Sequence, residues 1–192
     1  FVGKNESFVN LAKQISKVAL GCDSIDQLFE SPIDDGLTVQ EKLTEQTGII
    51  GEKIEIGSFV KIKSKFVGSY IHAGNKIASL VGLTENFDGC GEVAKNIAMQ
   101  AAAMNPIALD ENGVSKKLIE KEIEIAKEQL RSEGKPENML ENIAKGKLKK
   151  FFKENTLINQ AYIKDTKISV MNYLKSVNQN CSVSDFKRIS LV

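Results

Sequence analysis

The chain has 192 residues, 42% hydrophobic and 27% charged, with a formal net charge of +1. That length suits one compact domain or two small subdomains with a real core, and the near-neutral balance supplies no global field toward nucleic acid or an anionic membrane. No apolar run approaches the ~18 residues of a membrane span, and Cys22, Cys90 and Cys181 lack any C-x-x-C spacing, which points to buried thiols in a reducing cytoplasm rather than a disulfide framework or a zinc site.

Asn5 has the short polar side chain of a helix cap. After it, Phe8, Leu11, Ala12, Ile15, Val18 and Ala19 fall on one helical face, which predicts a helix ending at Gly21. A short helix follows over 24–30, stopped at Ser31-Pro32. Thr38 caps a third helix to about Ile49, with Val39, Leu43 and Ile50 inward. The period then changes to two. Ile54 and Ile56 alternate, and beyond Gly57 the residues Val60, Ile62, Ser64 and Phe66 share one face, with Phe59, Lys61, Lys63 and Lys65 on the other. This predicts a half-buried strand of an antiparallel sheet. Residues 69–72 and 76–83 form a hairpin around Ala73-Gly74-Asn75, where Gly and Asn accept positive φ.

Cys90 to Met104 is predicted helical, its small residues allowing close approach to a sheet or another helix. Pro106 stops it. Ser115 caps the longest helix, to about Ser132, and Gly134 closes it. Pro136 opens the next, with Met139, Leu140, Ile143, Ala144, Leu148, Phe151 and Phe152 as its apolar stripe. A short helix over 168–177 and a strand over 182–192 finish the chain. The segment Leu11-Ala12-Lys13-Gln14-Ile15 echoes Val93-Ala94-Lys95-Asn96-Ile97. The fold expected is therefore α+β, two related subdomains of helices packed on a small antiparallel sheet. The first covers residues 1–55 and is mostly helical; the second covers 56–192.

His72 is the only histidine, on a sharp glycine-bounded turn. A catalytic base needs an orienting acid and a nucleophile in a recognisable elbow, and neither stands near it in sequence, which leaves a structural turn residue or a partner contact, the second favoured only by the resemblance described below. The glycines at 68, 74, 82, 89 and 91 never make G-x-x-x-x-G-K-[ST] or G-x-G-x-x-G, which argues against a nucleotide site in this chain. Lys145, Lys147, Lys149, Lys150 and Lys153 surround Phe151 and Phe152. They read either as a solvated helix face over core aromatics or as an RNA- or ribosome-binding helix. The presence of only two arginines, Arg131 and Arg188, argues mildly against dedicated phosphate recognition. No enzyme, no metal and no cofactor is expected. A chain that begins on Phe1 rather than Met, with no signal-peptide pattern, is expected to be a piece of a longer one.

Three stretches together carry a family resemblance. They are Phe1-Val2-Gly3-Lys4-Asn5 through Phe8; Tyr70-Ile71-His72-Ala73-Gly74 through Val93–Met99 and Ala102-Ala103-Met104-Asn105-Pro106; and Gly134–Asn138 through Gly146–Phe152 with Gln160-Ala161-Tyr162. These resemble the bacterial elongation factor Ts family over nearly the whole chain. In that family a Thr-Asp pair precedes the Phe, and a helical module and the first strands of the core lie further upstream; none of these is in this sequence. The resemblance implies a cytoplasmic guanine nucleotide exchange factor for the GTPase elongation factor Tu. It implies that Phe1 is an aromatic wedge near the magnesium site of the GTPase, with Val2 beside it, and that Ile50, Gly51 and His72 pack on the same G domain. The half from Tyr70 onward would grip another domain of the GTPase. No membrane and no direct nucleic-acid contact is implied, and some members pair as homodimers through this core.

Overall fold

The computed structural model describes residues 2–34, 36–72 and 74–191. The chain divides into two compact units, one up to Lys61 and one from Ile62 onward.

In the first unit, short polar side chains set the helix starts. A 3-10 turn, Val2–Lys4, leads into helix α1, Glu6–Ala19, where Asn5 accepts from Ser7 N at 2.9 Å. Helix α2, Ile25–Glu30, is capped by Ser24. Helix α3, Val39–Ile50, carries a full capping box, with the Thr38 hydroxyl accepting from Glu41 N and Glu41 Oε2 accepting from Thr38 N at 2.8 Å. Such caps each satisfy an orphan backbone donor, worth about 1 kcal/mol. Between the helices Cys22, Leu28, Val39 and Leu43 form a small core, joined by Ile15, Val18, Ile54, Ile56 and Phe59.

The strand expected over 60–66 is not formed as predicted. Residues 53–63 run without a ladder, and the first strand starts only at Phe66. Phe59 packs into the α1–α3 core, Lys61 Nζ donates to Cys22 O at 2.8 Å, and Val60 is the exposed one. A lysine whose stem lies inward and whose ammonium finds a carbonyl reverses the face that alternation alone assigns. Among the described residues of this unit the sole β pairing is the bridge Pro32–Thr38, so the sheet of this α+β chain lies in the second unit.

That sheet has three antiparallel strands: β1, Phe66–Ile71; β2, Ile77–Leu83; and β5, Val183–Ser190, in the order β1-β2-β5. Helix α4, Cys90–Met104, lies across one face. Gly68 is what permits this, since a Cβ there would collide with Ala94, backbone included. Ala94, Ala98, Ala101 and Ala102 are all buried, and the Ser79 hydroxyl donates to Ala98 O at 2.6 Å, tying β2 to the helix. Val81, Leu83, Val93, Ile97, Val170, Leu174 and Val183 complete the core.

Two polar residues of α4 are also buried, which its apolar pattern did not announce. Gln100 Nε2 donates to Gln160 Oε1 and Ala161 O, both at 3.1 Å, and Gln100 Oε1 accepts from Ile163 N at 2.8 Å. Asn96 accepts from Lys164 Nζ at 2.7 Å and donates to the Tyr173 hydroxyl at 3.2 Å. Their partners sit on a short hairpin, β3 (Ala161–Tyr162) and β4 (Asp165–Ser169), and on helix α7, Val170–Val177. Sequence reading has no strand here and starts the helix at Ile168. Tyr162 stacks on Tyr173 at 4.1 Å between ring centroids, and burial pushes the Tyr162 hydroxyl pKa well up. Among the described residues no buried side-chain nitrogen or oxygen lacks a partner.

Helices α5, Lys116–Ser132, and α6, Glu137–Asn155, form an antiparallel hairpin with its own seam of Ala126, Leu130, Leu140 and Ala144. Gly134, at φ 74°, turns the chain between them. The feet are clasped by Ile107 N to Asn155 O and Leu157 N to Ala108 O, each 2.9 Å. Met139, expected in the apolar stripe, is about half exposed near its helix end, as is Met104 at the end of α4.

Two outcomes follow from this packing. Gly68→Ala is expected to lower unfolding free energy by about 2 kcal/mol or more, because a helix backbone must shift to admit the methyl. Gly91→Ala, whose new Cβ meets only Phe66 Cζ at an ordinary 3.7 Å inside a helix, is expected to be neutral or to stabilise by up to about 1 kcal/mol; urea melts of the two variants check the pair. Cys22, Cys90 and Cys181 are free and buried, and burial pushes the Cys181 thiol up. A thiol reagent is therefore expected to find no fast-reacting cysteine in the native chain and all of them after denaturation.

Candidate functional site

The residues that the resemblance singles out lie in both units. Phe1 falls outside the described residues. Val2 is half-buried on the 3-10 turn ahead of α1. Ile50 and Gly51 end α3, with Gly51 in the left-handed region at φ 78° and its N–H donating to Thr47 O at 2.9 Å. The Thr47 hydroxyl accepts from Ile54 N at 3.1 Å, so the chain leaving the helix is pinned back onto its last turn. Ile50 is half-buried, while its neighbour Ile49, which sequence reading placed at the end of the helix, is 70% exposed. Ile49 is thus a large aliphatic side chain held in water on a capped helix end.

His72 stands at the tip of the β1–β2 hairpin, in the second unit. The hairpin closes through it: His72 N donates to Ile77 O at 2.8 Å, and Asn75 N donates to His72 O at 3.0 Å. Gly74 and Asn75 take positive φ, 88° and 56°, as the turn residues predict. The imidazole is exposed, and its Nδ1 lies 3.2 Å from the Tyr70 hydroxyl, with the rings tilted at a centroid distance of 6.0 Å. Ile71, on the opposite face of the strand, is 64% exposed. The tip therefore presents an aliphatic side chain and an aromatic donor–acceptor, on a backbone tied by the two His72 hydrogen bonds. Tyr70, whose hydroxyl meets His72, was not singled out in the sequence, although the two-residue spacing from a strand residue already suggests a shared face.

No acid stands beside His72 among the contacts of the described residues, and no group of three His, Cys, Asp or Glu side chains is placed there or elsewhere among them to hold a metal. No helix among the described residues is long and apolar enough to cross a membrane.

The lysine helix is largely compensated by its own neighbours. Lys145 pairs with Glu141 at 2.9 Å, Lys150 with Glu154 at 3.7 Å and Lys147 with Glu133 at 3.9 Å. Phe151 and Phe152 are half-buried and meet edge to face at 5.9 Å.

Comparison with known proteins places the chain. The family described as elongation factor TS matches residues 1–191. Proteins named elongation factor Ts from Christiangramia forsetii and Flavobacterium psychrophilum are each 56% identical over 191 residues, covering all of this chain and 69% of the relative. The protein of that name from Amoebophilus asiaticus is 46% identical over 192 residues, covering 98% of this chain and 69% of the relative. With one family spanning its length and relatives this similar, the chain belongs to the elongation factor Ts family.

Proposed function

We propose that this chain is a guanine nucleotide exchange factor that binds elongation factor Tu and speeds its release of GDP, with no catalytic residue of its own. The observation that carries the reading is the family match over residues 1–191. A GTPase holds GDP through phosphate-loop contacts and a magnesium ion. A factor that binds the nucleotide-free state more tightly than the GDP state must, by reciprocity, weaken GDP. Such a factor needs stiff protrusions, not acid–base groups.

Two protrusions of this chain suit that task. One is the capped end of α3 with Ile49, Ile50 and Gly51; the other is the hairpin tip with Ile71 and His72. Phe1 is assigned the wedge role by resemblance, with Val2 next to it. An aromatic ring is a good wedge because it is large, apolar and has few torsions to freeze. The second unit, from about Tyr70 onward, would hold a further domain of the GTPase.

The test is release of fluorescent GDP from elongation factor Tu with and without this chain, alongside direct binding of the pair. Faster release supports the reading; absence of both binding and acceleration overturns it, and salt-dependent RNA binding in its place would turn attention to the Lys145–Lys153 helix. Phe1→Ala, in a chain where a short upstream extension makes Phe1 internal, is expected to slow assisted GDP release about tenfold or more while leaving the melting curve unchanged. His72→Ala is expected to weaken the complex by about 1 kcal/mol, roughly fivefold in Kd; an equal affinity by titration would remove His72 from the contact.

A further inference from the structure

We propose that Tyr70 is a positioning residue for His72: its hydroxyl donates to Nδ1 and holds the exposed imidazole as the Nε2–H tautomer, so that the hairpin tip offers one outward N–H donor to an acceptor on its partner. The role for binding rests on the exchange reading above; the tautomer does not.

The geometry supplies each step. Tyr70 lies on β1 and His72 is the first residue past its end, two positions on, and their side chains meet on the face where Gly68 approaches Ala94 of α4. The Tyr70 ring is partly buried and packs against the sheet–helix core, which fixes where its hydroxyl points. That hydroxyl reaches His72 Nδ1 at 3.2 Å. In a neutral imidazole one nitrogen is a donor and the other an acceptor, and the hydrogen bond made by one decides the role of the other. A phenol O–H is an acidic donor and an unprotonated ring nitrogen a strong acceptor, so the pair settles with O–H donating to Nδ1. The proton of the neutral ring then resides on Nε2, on the side away from Tyr70.

His72 is exposed, yet its N–H, its C=O and its Nδ1 are all engaged within the chain, the first two by Ile77 O and Asn75 N. An exposed side chain that is already ordered before binding avoids the ordering cost that a free rotamer would incur. The acceptor it recognises is a backbone carbonyl or a carboxylate, since Nε2–H donates and the rest of the ring is apolar.

The experiment compares the unaltered chain with Tyr70→Phe, which keeps the ring in the core and removes only the hydroxyl. The tautomer of His72, the sole histidine, is read from the two imidazole 15N shifts on the neutral plateau of its own titration. The amide spectrum of each chain verifies that the hairpin is intact. The unaltered chain is expected to show a single Nε2–H tautomer and Tyr70→Phe a mixture, with affinity for elongation factor Tu lowered about two- to tenfold. His72→Gln, which keeps a donor near the Nε2 position, is expected to bind more tightly than His72→Ala. An Nδ1–H tautomer in the unaltered chain, or the same spectrum with and without the hydroxyl, overturns the proposal. A shifted tautomer with unchanged affinity overturns its role in binding. If the unaltered chain does not bind the GTPase at all, the exchange reading fails, and the 15N comparison still decides whether Tyr70 positions the ring.

Discussion

The contact on which the second unit depends is the one between Gly68 and Ala94. A strand and a helix approach here until no Cβ fits on the strand. That closeness aligns four buried alanines of α4 over the sheet and lets Ser79 reach the helix backbone at Ala98. It also sets the height of β1 over the core. Two residues further on, Tyr70 still packs on that core, and His72 clears it. The exposed tip is therefore the free end of a hairpin clamped at Gly68, and the clamp is made of the smallest residues available.

A second device stiffens the same helix from its other side. Asn96 and Gln100 are buried polar residues in a helix of small apolar ones, a costly choice unless every donor and acceptor is met. Each bond lands on the β3–β4 hairpin, the residue before it, or α7: Gln160, Ala161, Ile163, Lys164 and Tyr173. A fully met network specifies one arrangement more sharply than an apolar surface, which tolerates sliding. It holds a hairpin that has almost no ladder of its own, since β3 is two residues long.

The helices were legible because their signals are local. Caps at Asn5, Thr38 and Ser115 form the predicted side-chain bonds, and α4 and α5 keep their predicted bounds. The β1–β2 hairpin was legible from Gly74-Asn75, whose positive φ is a requirement of the turn. What failed was non-local. The alternation over 60–66 is genuine, yet a ladder needs a partner strand, and Phe59 and Lys61 instead find the core and a carbonyl of the first unit. The β3–β4 hairpin has no alternation to read, because it is ordered by side chains from a helix some sixty residues earlier in the chain. The proposed contact residues were named by resemblance; periodicity could say only that His72 lay on a turn.

A factor that acts by binding alone is judged by how its surface energy differs between two states of its partner. Flexible contacts serve this poorly, because the cost of ordering them subtracts from the difference they can impose. The end of α3 and the tip of the β1–β2 hairpin share a remedy. In each, a residue of positive φ turns the chain sharply, Gly51 in one and Gly74-Asn75 in the other. In each, the backbone at the turn is tied down by hydrogen bonds, and a large apolar side chain, Ile49 or Ile71, is among those left in water. Such a surface leaves apolar area unburied in the free chain, a standing loss that only association recovers. Under the exchange reading proposed above, stiff turns would convert that loss into selectivity, since a rigid protrusion fits one conformation of a partner and collides with another.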